Sequence, residues 1–425
     1  MDIQRDLSRH PCFNKEASGQ CGRVHLPIAP KCNIKCNYCD RKHDCVNESR
    51  PGVSSAVLTP PQAMVYMEEV LEKEPRITVA GIAGPGDPMA NWAETHHTLK
   101  LLKERFPHLL FCLSSNGLAL PGHVDELAEV GATHVTVTIN AVDPDVGAKV
   151  YSWVRDGKLI LRGRAAAELL ISRQLESVRL LAAKGITVKV NTIVVPGVND
   201  HHVGEISKTV AALGANIHNI MAMFPTPNTP FAEIPEPTKD QIAAARQISA
   251  AFLPQMTHCR RCRADAVGLL CSDRSGEFSD MLRACSKVVP GADESRPYVA
   301  VATREGMLIN LHLGEAWAFQ IYGKNEGGLF LVEERAAPEP GGGPRRWEEL
   351  ARVLKDCRAV LCSSYGETPA KLLMERGIMV HGCSGLVEDG VEEIFGTGDL
   401  TSLKSRRKGL SGACRCSGGS GEGCG

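Results

Sequence analysis

Three cysteines stand close together in Lys31-Cys32-Asn33-Ile34-Lys35-Cys36-Asn37-Tyr38-Cys39. Such a C-x3-C-x2-C run can place three thiolates on three irons of a cubane cluster and leave the fourth iron without a protein ligand. An open iron can chelate a small molecule and pass it an electron. A structural zinc site closes with four protein ligands, and a ferredoxin-type cluster takes a fourth cysteine. A zinc knuckle is the competing reading, but its second C-x-x-C at zinc-finger spacing is missing.

Other ligand-type residues are scattered. Cys12 lies in His10-Pro11-Cys12, Cys45 follows the cysteine loop, and Cys112 sits in an apolar stretch. Cys259 and Cys262 form a C-x-x-C flanked by Arg260, Arg261 and Arg263, which would suit an anionic cluster. With His25 as an imidazole ligand, these residues could complete further cubanes. The alternatives are a satisfied core histidine and a redox C-x-x-C or half of a zinc site. Cys271, Cys285, Cys357 and Cys362 show no ligand-like spacing and read as core, where free cysteine packs well.

Smaller signals lie between them. In Gly84-Pro85-Gly86-Asp87-Pro88 the glycines would let backbone approach a ligand without side-chain clash, although a plain βα turn reads the same way. Ser114, Asn116, Asn140 and Asn191 stand at or near strand ends. They read as groups facing a ligand, or as turn residues and caps. Glu48 and Asp87 are the nearest carboxylates that could take a proton.

These residues need a scaffold. Strand-like segments at 23–29, 77–82, 109–113, 134–140, 187–195 and 217–223 alternate with helical patterns at 61–74, 92–106, 124–129, 169–184, 203–213 and 239–252. Parallel strands need crossover connections, so the pattern predicts a partial (β/α)6 TIM-like barrel. Chemistry in such barrels sits at the C-terminal ends of the strands, where the motifs fall. Residues 286–297 are polar with Pro290-Gly291 and read as a linker after a first domain at 1–285. A small α/β domain is expected at 298–398, and a flexible Cys/Gly-rich tail, with Cys414, Cys416 and Cys424, at 399–425.

The chain has 425 residues and a net charge of −1. That balance disfavours nucleic acid as a partner. No apolar run approaches a membrane span, and residues 1–6 lack the apolar core of a signal peptide. The expected location is cytoplasmic, where thiols stay reduced. Seventeen cysteines are then better explained by cluster ligation than by disulfides.

The cysteine loop, with Tyr38 before its last cysteine, resembles the radical S-adenosylmethionine (SAM) superfamily. More closely, His10-Pro11-Cys12, the loop, Asp44-Cys45-Val46-Asn47-Glu48-Ser49-Arg50-Pro51-Gly52-Val53, Gly84 to Pro88 and Cys259 to Ala266 resemble the NifB family of nitrogenase-cofactor maturases. The resemblance spans roughly residues 10–285. The second domain is similar to the NifX/NafY type, with a ribonuclease-H-like fold, and His312 matches a cofactor-binding histidine there. The resemblance implies three [4Fe-4S] clusters. One binds SAM on Cys32, Cys36 and Cys39. Two are substrates on Cys12, His25, Cys45, Cys112, Cys259 and Cys262, with the division between them open.

It also implies the reaction. A methyl group passes from one SAM to a cluster sulfide, and a second SAM gives a radical that takes hydrogen from that methyl. Further deprotonation leaves a carbide, and an added sulfur completes an [8Fe-9S-C] precursor. The implied partners are iron-sulfur cluster donor proteins, a nitrogenase cofactor carrier or assembly scaffold, and an electron donor such as ferredoxin or flavodoxin. Two other functions fit part of the sequence: a non-catalytic cluster scaffold or carrier, which has no need of an open iron, and a radical SAM enzyme acting on an organic or peptide substrate.

Overall fold

In the segments 132–138 and 187–194, side chains alternate. Val135, Val137, Val188 and Val190 interleave with His134, Thr136, Thr138, Lys189 and Asn191. A parallel strand covered by helices on both faces reads as an almost unbroken apolar run. Alternation leaves one face for helices and turns the other toward an interior that holds polar groups.

The computed structural model has this layout. It describes residues 7–47, 52–287, 296–325, 327–396 and 400–403, and its contacts divide the chain into two units, Met1–Ser286 and Lys287–Gly425. The first unit holds a seven-stranded sheet. Six strands run parallel in chain order: β1 (Gly22–His25), β2 (Ile77–Ile82), β3 (Leu110–Ser115), β4 (Ala132–Thr138), β5 (Thr187–Val194) and β6 (Ile217–Ala222). A short antiparallel strand, β7 (Val267–Gly268), closes the edge beside β1. The sheet curls into the half-barrel expected from the sequence.

Helices Pro60–Lys73, Trp92–Arg105, Val124–Val130, Gly163–Ala183, Val203–Ala212 and Lys239–Ala250 fill the crossovers. Met64, Met67, Leu99, Leu102, Leu127, Val178 and Leu181 pack with Val24, Ala80, Leu113, Val135 and Val188 in one buried core. Each of these Val, Leu and Met side chains contributes about 1.5–3 kcal/mol when fully buried. Helix Lys239–Ala250 starts at a reciprocal cap: Thr238 Oγ1 accepts from Gln241 N–H (3.2 Å), and Gln241 Oε1 accepts from Thr238 N–H (2.8 Å).

Three local departures from the sequence reading matter. β1 stops at His25 rather than running to residue 29, because Pro27 has no N–H for a ladder. Helix Gly163–Ala183 starts well before residue 169, since Arg164-Ala165-Ala166-Ala167-Glu168 are strong helix formers. An unforeseen antiparallel sheet joins Ile34–Cys36 to Tyr151–Asp156 and Leu159–Leu161, with Cys36 opposite Tyr151. It clamps the middle of the cysteine loop.

The second unit is a five-stranded sheet of β8 (Tyr298–Val301), β9 (Ala318–Asn325), β10 (Gly328–Ala336), β11 (Cys357–Cys362) and β12 (Met379–Gly382). Their order is β10-β9-β8-β11-β12. The first three pair antiparallel, and β11 and β12 run parallel to β8, the ribonuclease-H-like arrangement expected. β12 and the helix Val387–Phe395 are additions to the sequence reading. Most of the expected linker and nearly all of the expected tail, including Cys414, Cys416 and Cys424, lie outside the described residues. Among the described residues, no helix is long and apolar enough to cross a membrane.

Candidate active site

Cys32, Cys36 and Cys39 open onto one cavity of about 420 Å³ at the C-terminal ends of the strands, shared with Cys45, Asp87 and Asn116. The loop is held from several sides. Asn140 Nδ2 donates to Tyr38 Oη (2.7 Å), Tyr38 Oη donates to Asn47 Oδ1 (2.6 Å), and Asn47 Nδ2 lies 3.9 Å from Cys36 Sγ. Asn116 Nδ2 reaches Cys32 Sγ at 3.8 Å. The Lys35 ammonium donates to the Cys39 carbonyl. Burial pushes Cys32 up to about 12 and moves Cys36 and Cys39 upward too. These thiols resist ionisation on their own, so a metal would have to displace their protons to hold them as thiolates.

The glycine-rich segment meets this loop backbone to backbone. Gly86 N–H donates to the Ala29 carbonyl (2.5 Å) and Asp87 N–H to that of Lys31 (2.8 Å). A Cβ on Gly86 would overlap the Lys31 carbonyl. Gly86 lines the cavity, whereas a Cβ on Gly84 would meet Ala264. The Asp87 carboxylate accepts from Met89 N–H, Ser115 Oγ–H and Asn116 N–H. Burial pushes it up to about 6 against those bonds.

A second cavity, about 620 Å³, is lined by Cys12, His25, Cys112, Cys259 and Cys262. Ser114 lines both cavities. Strand register places two of the candidate ligands. His25 pairs with Gly81, and Gly81 with Cys112. His25 and Cys112 therefore share one interior row, two strands or roughly 10 Å apart, with no side chain between them. A Cβ on Gly81 would sit 3.0 Å from His25 Cδ2.

The His25 ring has a nitrogen that could serve a metal. Its Nδ1 lies 2.9 Å from the Arg263 carbonyl. A carbonyl only accepts, so Nδ1 carries the proton and Nε2 keeps a bare lone pair. Burial lowers this imidazole to about 4, so it is neutral at pH 7.

The outlying thiols are also supported. The buried Arg23 guanidinium donates to Cys262 Sγ (3.1 and 3.3 Å) and to the carbonyls of Gly268 and Leu269. Asn219 Nδ2 reaches Cys259 Sγ at 3.5 Å. Cys12 N–H donates to His10 Nδ1, and His10 packs on Phe13 and His134 at centroid distances of 4.7 and 4.3 Å. Burial pushes Cys12 up to about 12. Lys189 opposes this, and Cys262, Cys112 and Cys259 add to it.

The residues singled out from sequence thus divide. Cys32, Cys36, Cys39, Cys45, Gly86, Asp87 and Asn116 face the smaller cavity, Ser114 both, and Asn191 the larger one with Cys12, His25, Cys112, Cys259 and Cys262. Asn140 lines neither. Its side chain is engaged by Tyr38 and Ile193, which makes it a support of the loop. Glu48 lies outside the described residues. In the second unit, His312 Nδ1 accepts from Gly314 N–H (2.9 Å), capping a short turn. Sequence reasoning passed over Arg23, Lys189 and Asn219. The alternation of β5 was the available signal for Lys189. Among the described residues, no three His, Cys, Asp or Glu side chains converge on a single-ion site; a cubane spreads its ligands over separate irons.

Residues 26–210 match the radical SAM superfamily and residues 296–396 the dinitrogenase iron-molybdenum cofactor family. The chain is 47% identical over 422 residues to the FeMo cofactor biosynthesis protein NifB of Chlorobaculum tepidum, covering 99% of each. It is 44% identical to NifB of Klebsiella pneumoniae, covering 87% of this chain and 86% of the relative. Among solved structures, the radical SAM methyltransferase TsrM of Kitasatospora setae aligns with a TM-score of 0.37 at 15% identity, over 90% of this chain and 63% of that one. By its identity to the two NifB relatives over most of their length and its own, the chain belongs to the NifB family of radical SAM enzymes of FeMo cofactor biosynthesis.

Proposed function

We propose that this protein joins two [4Fe-4S] substrate clusters, with a carbon from SAM and one added sulfur, into the [8Fe-9S-C] core of the nitrogenase cofactor. The observation that carries the reading is the larger cavity: five iron-ligand side chains gather there and share the wall at Ser114 with the cysteine-loop cavity. Bound on Cys32, Cys36 and Cys39, a [4Fe-4S] cluster with SAM supplies methyl transfer and a hydrogen-abstracting radical.

The chain's own residues divide the remaining work. Cys12, Cys259 and Cys262 hold one substrate cluster, with Arg23 steadying Cys262 and Asn219 beside Cys259. His25 and Cys112 hold the other over Gly81. Cys45, which faces the adjoining cysteine-loop cavity, is the remaining candidate for that set. Asp87, committed to Met89, Ser115 and Asn116, positions the strand ends, and Glu48 takes the proton from the methyl carbon. In the second unit His312 binds the finished cluster. Ligation through Nε2 moves the ring proton to Nδ1 and releases Gly314. Iron-sulfur donor proteins, a cofactor carrier or assembly scaffold and a ferredoxin or flavodoxin would supply and drain the site.

The test is anaerobic reconstitution with iron and sulfide, then dithionite and SAM. About twelve irons per chain with both 5′-deoxyadenosine and S-adenosylhomocysteine supports the reading. About four irons with 5′-deoxyadenosine alone overturns it. Glu48→Gln should keep all three clusters and lose carbide insertion.

A further inference from the structure

Beside its candidate iron ligands, the larger cavity is lined by a lysine and by two buried hydrogen-bond donors. Lys189 lies on β5 with its side chain turned inward, 7% exposed. Through Thr136 it is in register with Ser114, one interior row nearer the strand ends than His25, Gly81 and Cys112. Its Nζ lies 5.7 Å from the centre of the Phe13 ring, so it reaches the segment that carries Cys12. Its charge acts on Cys12, His10 and His25. None of the side chains lining this cavity is an aspartate or glutamate.

Two neutral donors accompany it. Ser114 Oγ and His10 Nε2 are buried without a hydrogen-bond partner, and both residues line the cavity. His10 Nδ1 accepts from Cys12 N–H, so the ring proton sits on Nε2. Buried donors without acceptors are rare and call for an explanation. A [4Fe-4S] cluster on three thiolates is an anion that an ammonium and neutral donors on the same cavity wall would attract: it carries one net negative charge when oxidised and two after gaining an electron.

We propose that Lys189 is the cation against which the cluster on Cys12, Cys259 and Cys262 is bound. The ammonium faces the inorganic sulfides of that cluster, offsets their charge and favours the one-electron-reduced form. No covalent bond changes, and the electron comes from the external reductant. The inference rests on the assignment of a substrate cluster to these three thiols, made above.

The experiment isolates that cluster. Full-length protein carrying Cys32→Ala, Cys36→Ala, Cys39→Ala and Cys112→Ser is reconstituted anaerobically with ferrous iron and sulfide, then titrated with dithionite under electron paramagnetic resonance. Failure of this background to load about four irons overturns the cluster assignment itself, which is separate from the role of the lysine. With the cluster loaded, Lys189→Met should lower the reduced-to-oxidised ratio at fixed potential roughly tenfold, about 59 mV for a one-electron couple, and Lys189→Arg should restore it. Loss of iron in Lys189→Met but not in Lys189→Arg also supports the proposal. An unchanged ratio at equal iron content overturns it, as does equal loss of iron in both variants, which marks a purely structural lysine.

Discussion

Cys32, Cys36 and Cys39 reach their cavity from a single loop of eight residues, whereas Cys12, His25, Cys112, Cys259 and Cys262 come from four segments between residues 12 and 262. The loop is held by short-range devices: the Ile34–Cys36 strand and the chain of bonds from Asn140 through Tyr38 to Asn47. The larger cavity depends on closed register across β1, β2 and β3 and on the return of residues 259–262 to Arg23. A local site survives small errors elsewhere in the barrel. A gathered site exists only once the whole unit has folded, so damage to the barrel should reach the larger cavity first.

The sharpest way to break this contrast is to empty each cavity in turn. Cys32→Ala, Cys36→Ala and Cys39→Ala together should reduce SAM cleavage to background and leave about eight irons bound. Cys12→Ala, Cys259→Ala and Cys262→Ala together should leave 5′-deoxyadenosine formation and abolish the product cluster. Iron analysis with chromatography of the SAM products reads both. If the second variant also stopped cleavage, the two cavities would be one cooperative site.

A smaller lesion separates register from ligands. Gly81→Ala puts a methyl group 3.0 Å from His25 Cδ2 and must turn the ring off its row. Iron should fall by about four per chain while the SAM-binding cluster keeps its spectrum. Full loading in Gly81→Ala would show that the row between His25 and Cys112 need not stay open.

Smaller still, Tyr38→Phe removes the hydroxyl between Asn140 and Asn47 and leaves buried amide groups unpaired, at a cost of roughly 1–3 kcal/mol. Denaturant midpoints of the iron-free protein should show that loss, and loading of the loop should slow while the larger cavity fills normally. Equal slowing of both would argue against a locally held loop.

The least effect concerns the outer face of the sheet. His218 is buried, bonded to Thr192, Ser207 and Ser249, and burial lowers it to about 3. The unfolded chain therefore takes up a proton that the folded one refuses. Stability from this group is full above about pH 6.5 and is lost as pH falls, by about 2 kcal/mol at pH 5. His218→Gln should flatten the slope of iron-free stability between pH 7 and 5. An unchanged slope would place the acid sensitivity elsewhere.

What could be read in advance followed the same division. Motif spacing exposes the cysteine loop because all its ligands are sequence neighbours, and the six parallel strands show because hydrophobic period is a local property. Lys189 and Asn219 escaped because a polar residue inside a strand acquires meaning only when the sheet curls and turns that face inward. Arg23 escaped because its partner Cys262 lies 239 positions away. Asn140 was legible as a strand-end amide but not as a support for Tyr38, since the choice between facing a ligand and bracing a loop is settled by one side-chain rotation. The clamp at Tyr151–Asp156 went unread because it interrupts the βα rhythm with an antiparallel insertion.

Arg23 binds Cys262 with one part of its guanidinium and the Gly268 and Leu269 carbonyls with another, and Gly268 pairs with Arg23 in the sheet itself. The barrel edge and the Cys262 thiol thus share a single latch. Iron on Cys262 would draw the latch shut, so slowed hydrogen exchange at residues 267–269 becomes a gauge of cargo, readable without any catalysis.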